Sequence, residues 1–247
     1  MLVIFDVETT GFKQNHVVEL ASVISCSNGD NYCWYNRMKP SSPIEDGAAA
    51  VTGITNSIVA NEPPDTEKVV EWWADIQSVY ELGGLPMVLA GHNVRYDIQA
   101  VCQYVDIPKS VLTLCTMRLG RLYSPKSPNH KLTTLHEYLG LVGDYKAHGA
   151  LDDVFMAEGI LNHYIKETGK TYWELAQEQS KPVALAVMPF GKHVGSPFNL
   201  IPSDYMTYML GLPNLDIDVR YSFQLDMARR ARRWPGKPMM ESTFKKN

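Results

Sequence analysis

Seven residues near the start of the chain, Leu2-Val3-Ile4-Phe5-Asp6-Val7-Glu8, constrain it most. The run is apolar apart from its two acids, which predicts a strand. Strand side chains alternate between faces, so Asp6 and Glu8 point to the same side. A strand this apolar belongs in the middle of a sheet, where carboxylates are rarely buried without partners. Two like charges there raise one another's pKa, and a divalent cation would relieve the repulsion. An edge strand with a solvated acidic face accounts for the same pattern, and the strand alone leaves both readings open.

Thr9-Thr10-Gly11 closes this strand. Val17–Cys26 predicts a second strand, Asn28-Gly29 a tight turn, and Tyr32–Met38 a third strand completing a hairpin. A short helix is expected over Glu45–Val51. A longer one, capped by Asp65 or Thr66 and running to about Tyr80, has Val69, Val70, Trp73 and Ile76 on its apolar side. On that helix Trp73 is read as core rather than as a base-stacking platform with Trp72. Short strands at Met87–Ala90 and Val111–Thr116 alternate with helices at Arg95–Val105, Met117–Tyr123, around Leu132–Leu139, and Gly149–Ile165. Strands first and alternating elements later imply an α/β layer fold with a mixed sheet.

The 247 residues fit one domain with an appendage, or two domains, and 45% hydrophobic residues suffice for a full core. No apolar run is long enough to span a bilayer, and Met1–Phe5 has no basic segment before it, so a cytoplasmic protein with no membrane partner is expected. The four cysteines form no Cys-x-x-Cys pair and read as ordinary thiols. Net charge is −4. From Met227 to Asn247, seven basic residues face Glu241 alone, a local +6 that leaves −10 on residues 1–226. Such a tail either tethers an acidic body to phosphates or is a solvated end.

Two further segments decide how Asp6 and Glu8 are read. Asp97 follows Gly91-His92-Asn93-Val94-Arg95-Tyr96 at the start of a helix, and His148-Gly149-Ala150-Leu151-Asp152-Asp153 opens another. Together with Asp6-Val7-Glu8-Thr9-Thr10-Gly11, these motifs resemble the DEDDh branch of the 3′–5′ exonuclease superfamily over about residues 1–168. The resemblance implies a ribonuclease H-like mixed five-stranded sheet flanked by helices. It also implies hydrolysis of phosphodiester bonds with two Mg²⁺ or Mn²⁺ ions about 3.5–4 Å apart. Asp6 would bridge both ions, Glu8 and Asp153 would complete the nucleophile side, and Asp97 would hold the second ion. His148 would take the proton from the attacking water, a role that suits an imidazole, with its ordinary pKa of about 6.5.

Five residues of helix turn through about 500°, so His148 and Asp153 cannot share a helical stripe. The family places the histidine on the preceding loop, and Gly149 permits such a bend. Asp152 competes with Asp153, and the family spacing favours Asp153. Substrate contacts are expected from Thr9, Thr10 and Gly11, and from Thr52-Gly53-Ile54, where the family often has His at the position of Thr52. Tyr96 is expected either to stack on a base or to serve as a core aromatic. His92 and Asn93 are read as shaping a turn. His16, His130, His136 and His163 are read as ordinary surface or capping residues, and Lys126–Lys131 as a channel border or a solvated loop.

Beyond Pro182 the texture changes. Met188-Pro189-Phe190-Gly191-Lys192-His193-Val194-Gly195 with Asp204-Tyr205 is similar to the C-terminal extension of exodeoxyribonuclease X-like bacterial and phage proteins. A strand over Val183–Met188 and a helix over Asp204–Leu210 are predicted there. The expected organisation is an exonuclease domain over 1–170, a linker helix over 171–182, a small α+β module over 183–225, and a flexible basic tail over 226–247. The favoured activity is release of nucleoside monophosphates from DNA 3′ ends. The same residues would serve an RNA or oligoribonucleotide exonuclease, because the 2′-hydroxyl is sensed by other contacts. A nucleic-acid-binding module without catalysis is the third reading, although no motif residue is missing.

Overall fold

A computed structural model describes residues 1–233 except 12, 27, 28, 30, 84, 85, 144, 146, 147 and 214. It divides into two units, Met1–Lys181 and Pro182–Asn247. In the first, β1 (Leu2–Thr9), β2 (Val17–Ser25), β3 (Asn31–Arg37), β4 (Val88–Gly91) and β5 (Leu112–Cys115) form one sheet in the order β3-β2-β1-β4-β5. β1 pairs antiparallel with β2 and parallel with β4; β2–β3 is antiparallel and β4–β5 parallel. This is the mixed five-stranded sheet of a ribonuclease H-like fold. β1 is therefore central, as its apolar composition demands, and the edge-strand alternative for Asp6 and Glu8 is excluded. The expected Asn28-Gly29 turn falls partly outside the described residues.

Period-two alternation splits β1 between two cores. Val3, Phe5 and Val7 face one layer, with Val69, Trp72, Trp73 and Ile76 of α2 (Asp65–Gly83) and Ala100 and Val101 of α3 (Arg95–Val101). Leu2 and Ile4 face the other, with Ala150, Val154, Ala157, Leu161 and Tyr164 of α6 (Ala150–Thr168). That spacing is the helical repeat of a single buried stripe. Leu119 of α4 (Thr116–Tyr123), Leu135 of α5 (Leu132–Tyr138), and Leu175 and Ala176 of α7 (Tyr172–Gln179) complete this layer. Each fully buried aliphatic side chain stabilises by about 1.5–3 kcal/mol, so both faces hold β1 rigidly. Trp72 and Trp73 are 0% and 5% exposed, and the Trp72 indole N–H donates to Ser22 Oγ at 3.0 Å. Neither tryptophan is a stacking platform.

The second unit has its own core of Met188, Phe198, Ile201, Met206, Met209, Leu215, Val219 and Phe223. It is built mainly by α8 (Ser203–Leu210) and α9 (Ile217–Arg233). The strand expected over Val183–Met188 reduces to one bridge, Val187 with Pro197. The cause is local: the amides of Val183 and Leu185 donate to Asp218 Oδ1 and Ser222 Oγ of α9, so they are not offered to a neighbouring strand. Residues 226–233 belong to α9 rather than to a flexible tail. Arg230 anchors them through Asp226, Ser203 Oγ, and the carbonyls of Phe198, Asn199 and Ile201. The tail beyond 233 lies outside the described residues.

Candidate active site

Asp6 and Glu8 occupy the carboxyl half of β1 and share a face with Leu2 and Ile4. There the apolar layer under α6 ends, leaving the two acids half-buried. β4 pairs only with Leu2–Ile4, so β1 outruns it. The Val7 amide thus has no strand partner on that side, and it donates to Asp97 Oδ1 at 3.2 Å. Asp97, in the first turn of α3, is 3% exposed. The preceding turn is made by Asn93 at φ 61°, a left-handed position that asparagine tolerates. His92 braces it, with Nδ1 against Thr116 Oγ1 and Nε2 against the His130 carbonyl, both at 2.9 Å. Burial pushes the His92 pKa down to about 4, so it is a neutral structural residue.

His148 and Asp153 flank the start of α6. The bend expected at Gly149 falls on His148 instead, at φ 65°, while Gly149 is extended at φ −126°. The imidazole is exposed, and Asp153 returns to the site one helical turn later. One ligand atom from each of Glu8, His148 and Asp153 lies within 4.8 Å of the others. Asp6 and Asp97 join electrostatically. The Asp6 pKa is pushed well above the ordinary carboxylate value, first by burial, then by the charges of Asp97, Asp153, Glu8 and Glu19. Glu8 is pushed up to about 8 by burial, then by Asp153, Glu19 and Asp97. Asp97 rises to about 7, mainly by burial. Asp153 rises to about 6 by burial, against the opposing pull of His148.

Among the described residues, no lysine or arginine forms a salt bridge with these four acids. Asp153 Oδ1 is buried with no hydrogen-bond partner among the described residues. Four carboxylates in a half-buried cluster, one with an orphaned oxygen, suit a hard divalent ion that takes oxygen ligands. The residues present fit a metal centre.

The loop after β1 is braced from several sides. Thr9 Oγ1 and Tyr96 OH are 2.8 Å apart. The Thr10 amide donates to the His16 carbonyl, the Thr10 hydroxyl accepts from the His16 amide, and the Thr10 carbonyl accepts from the Glu45 amide. Gly11 has φ 133°, and a Cβ there would lie 2.6 Å from the Glu45 carboxyl carbon. Thr52 and Gly53 end α1 (Asp46–Thr52), with Gly53 left-handed at φ 74°. Ile54 is buried with Val18, Ile44 and Val59. Two of the histidines read as surface or capping residues are held inside the fold, His136 in the last turn of α5. His136 is 6% exposed, and His16 Nδ1 lies 3.1 Å from Tyr104 OH, which donates to Asp65.

Glu19 was missed. It is 2% exposed, directly opposite Glu8 in the β1–β2 register, and it accepts hydrogen bonds from Tyr35, Arg37 and the Ala150 amide. A lone acid inside Val17-Val18-Glu19-Leu20-Ala21 was the available signal.

The exonuclease family model of RNase T type matches residues 3–161, which contain all five of these residues. The chain belongs to the DEDDh exonuclease family. It is 27% identical over 198 residues to exodeoxyribonuclease 10 of Escherichia coli (strain K12), covering 79% of this chain and 82% of that protein. It is 30% identical over 140 residues to the PolC-type DNA polymerase III of Halalkalibacterium halodurans, but spans only 9% of that polymerase's length. Among solved structures, exonuclease X in complex with 5′-overhanging duplex DNA matches with a TM-score of 0.58 and 26% identity, over 72% of this chain and 98% of that one. Among the described residues, no helix is long and apolar enough to cross a membrane.

Proposed function

We propose that this member of the exonuclease family is a 3′–5′ exodeoxyribonuclease that releases nucleoside monophosphates from DNA ends in the cytoplasm of a bacterial or phage-infected cell. The observation that carries the reading is the convergence of Glu8, His148 and Asp153 within 4.8 Å, beside Asp6 and Asp97. Asp6, Glu8, Asp97 and Asp153 would hold two Mg²⁺ or Mn²⁺ ions. Bound there, the ions supply Lewis-acid polarisation of the scissile phosphate. The chain's own contribution is positional and acid–base. A ring nitrogen of the exposed His148 takes a proton from water as the water oxygen bonds to phosphorus. The bond from phosphorus to the 3′-oxygen of the penultimate nucleotide then breaks, and that oxygen takes a proton from water to leave a 3′-hydroxyl. Gly11, Tyr96 and the backbone of Thr9 and Thr10 would meet the terminal nucleotide, with Thr52 and Gly53 at the end of α1 as a further contact, whereas the buried Ile54 side chain supports that turn from the core. DNA is favoured over RNA by the likeness to exodeoxyribonuclease 10 and to exonuclease X on duplex DNA.

The full chain should shorten a 5′-labelled DNA strand stepwise with Mg²⁺ or Mn²⁺ and stop on chelation. Asp6→Ala should lower the rate by at least about 100-fold, as expected if a carboxylate that would hold the metal is lost. A variant as fast as the parent would sink the reading. Faster attack on an RNA strand of the same sequence would shift the substrate assignment and leave the centre intact.

A further inference from the structure

Glu8, Glu19 and Arg37 form a row across three strands, since Glu19 is opposite Glu8 on β1 and opposite Arg37 on β3. Directly opposed residues share a face, and two acids placed so repel. The pair persists because Glu19 is held from two sides. Its Oε2 accepts from Arg37 Nε at 2.7 Å and from Tyr35 OH at 2.9 Å. Its Oε1 accepts from the Ala150 amide at 2.9 Å. Ala150 is the first residue of α6, whose leading amides have no partner within the helix.

We infer that Glu19 is a positioning residue for the catalytic centre, an acceptor that ties the start of α6 to the sheet and thereby sets His148 and Asp153 against Asp6 and Glu8. The inference rests on the exonuclease reading for its consequence but not for its geometry. His148 lies two residues before the tied amide and Asp153 three after it. No described side chain caps α6, because its N-cap is Gly149. Glu19 supplies from the neighbouring strand what an N-cap side chain would supply locally. Oriented groups lose rate steeply when displaced, about 100-fold per ångström. Arg37 and Tyr35 are 43% and 40% exposed, so they can orient Glu19 without themselves being buried.

The test compares Glu19→Met, which keeps the bulk and loses the acceptor, with Glu19→Gln, which keeps an acceptor oxygen. Two readouts are taken on the full chain: hydrogen exchange of the amides at 150–153, and kcat and KM on a DNA oligonucleotide with Mn²⁺. Glu19→Met should accelerate exchange at those amides and lower kcat about tenfold or more, with KM changed by less than about twofold. Glu19→Gln should restore most of both. Should Glu19→Met fail to fold, the double variant Tyr35→Phe/Arg37→Met removes the Oε2 donors from outside the core. Faster exchange at Ala150 and a lower kcat are expected of it too. Unchanged exchange at Ala150 in the folded variants overturns the inference, as does Glu19→Gln being as impaired as Glu19→Met. An inactive parent overturns the exonuclease reading instead, and the exchange comparison then decides Glu19 alone.

Discussion

At the carboxyl end of β1, four acids share a volume that burial keeps poor in water, and their pKa values record the strain. Glu8 stands at about 8, Asp97 at about 7 and Asp153 at about 6, with Asp6 also raised. Each folded value exceeds the ordinary carboxylate value, so in the metal-free chain the folded state binds more protons than the unfolded state. Stability then falls as pH rises from about 4 through these values. A divalent ion cancels the repulsion, so the stabilisation it brings should grow with pH. The melting temperature should be measured from pH 5.5 to 8.5 with chelator and with Mn²⁺. The gap between the two curves is expected to widen upward, and Glu8→Gln should narrow it at the alkaline end. A gap that is constant or shrinks with pH would contradict the cluster. At this scale the sequence named Asp6, Glu8, Asp97, His148 and Asp153, because each sits in a short motif. It did not name Glu19, whose partners Tyr35, Arg37 and Ala150 are 16, 18 and 131 residues away.

Elements carry these residues, and their junctions decide the geometry. The loop after β1 is a constrained junction, since Gly11 holds φ 133° with the Glu45 carboxylate where a side chain would be. Gly11→Ala should cost about 1–3 kcal/mol, the usual penalty for a strained backbone position. It should also raise KM by displacing Thr9 and Thr10, as thermal unfolding and steady-state kinetics would reveal. A variant with parental stability and KM would show that the loop is not so constrained. Helix and strand positions were legible where a buried stripe repeats, as in α6 with Ala150, Val154, Ala157 and Leu161. The bend before α6 was legible only as a need. Glycine's freedom pointed to Gly149, yet the left-handed residue is His148 at φ 65°. The strand expected over Val183–Met188 failed for a similar reason: its amides meet side chains of α9 that composition cannot place beside them.

For the whole molecule, the division at Lys181 separates the unit carrying the site from a unit with its own core. α9 extends to Arg233, and Arg230 pins the 198–203 segment, so a test of the basic tail must cut after residue 233. Residues 234–247 contain Lys237, Lys245 and Lys246 against Glu241. If they tether DNA, their removal should flatten the salt dependence of duplex binding by about two to three units of slope while leaving kcat unchanged. An unchanged slope in a binding titration would make them a solvated end. The sequence by itself determined the family and the class of fold. An apolar strand with two acids on one face admits few environments, and three motifs in order name the carboxylates and the histidine of the candidate centre. Tertiary structure alone decided what holds that centre in register. The Asp97–Val7 bond exists because β1 outruns β4, and Glu19 reaches α6 because three strands align Glu8, Glu19 and Arg37 in one row. Such contacts depend on strand register and on which backbone amides are left unpaired, quantities set only when the sheet and its helices close on one another.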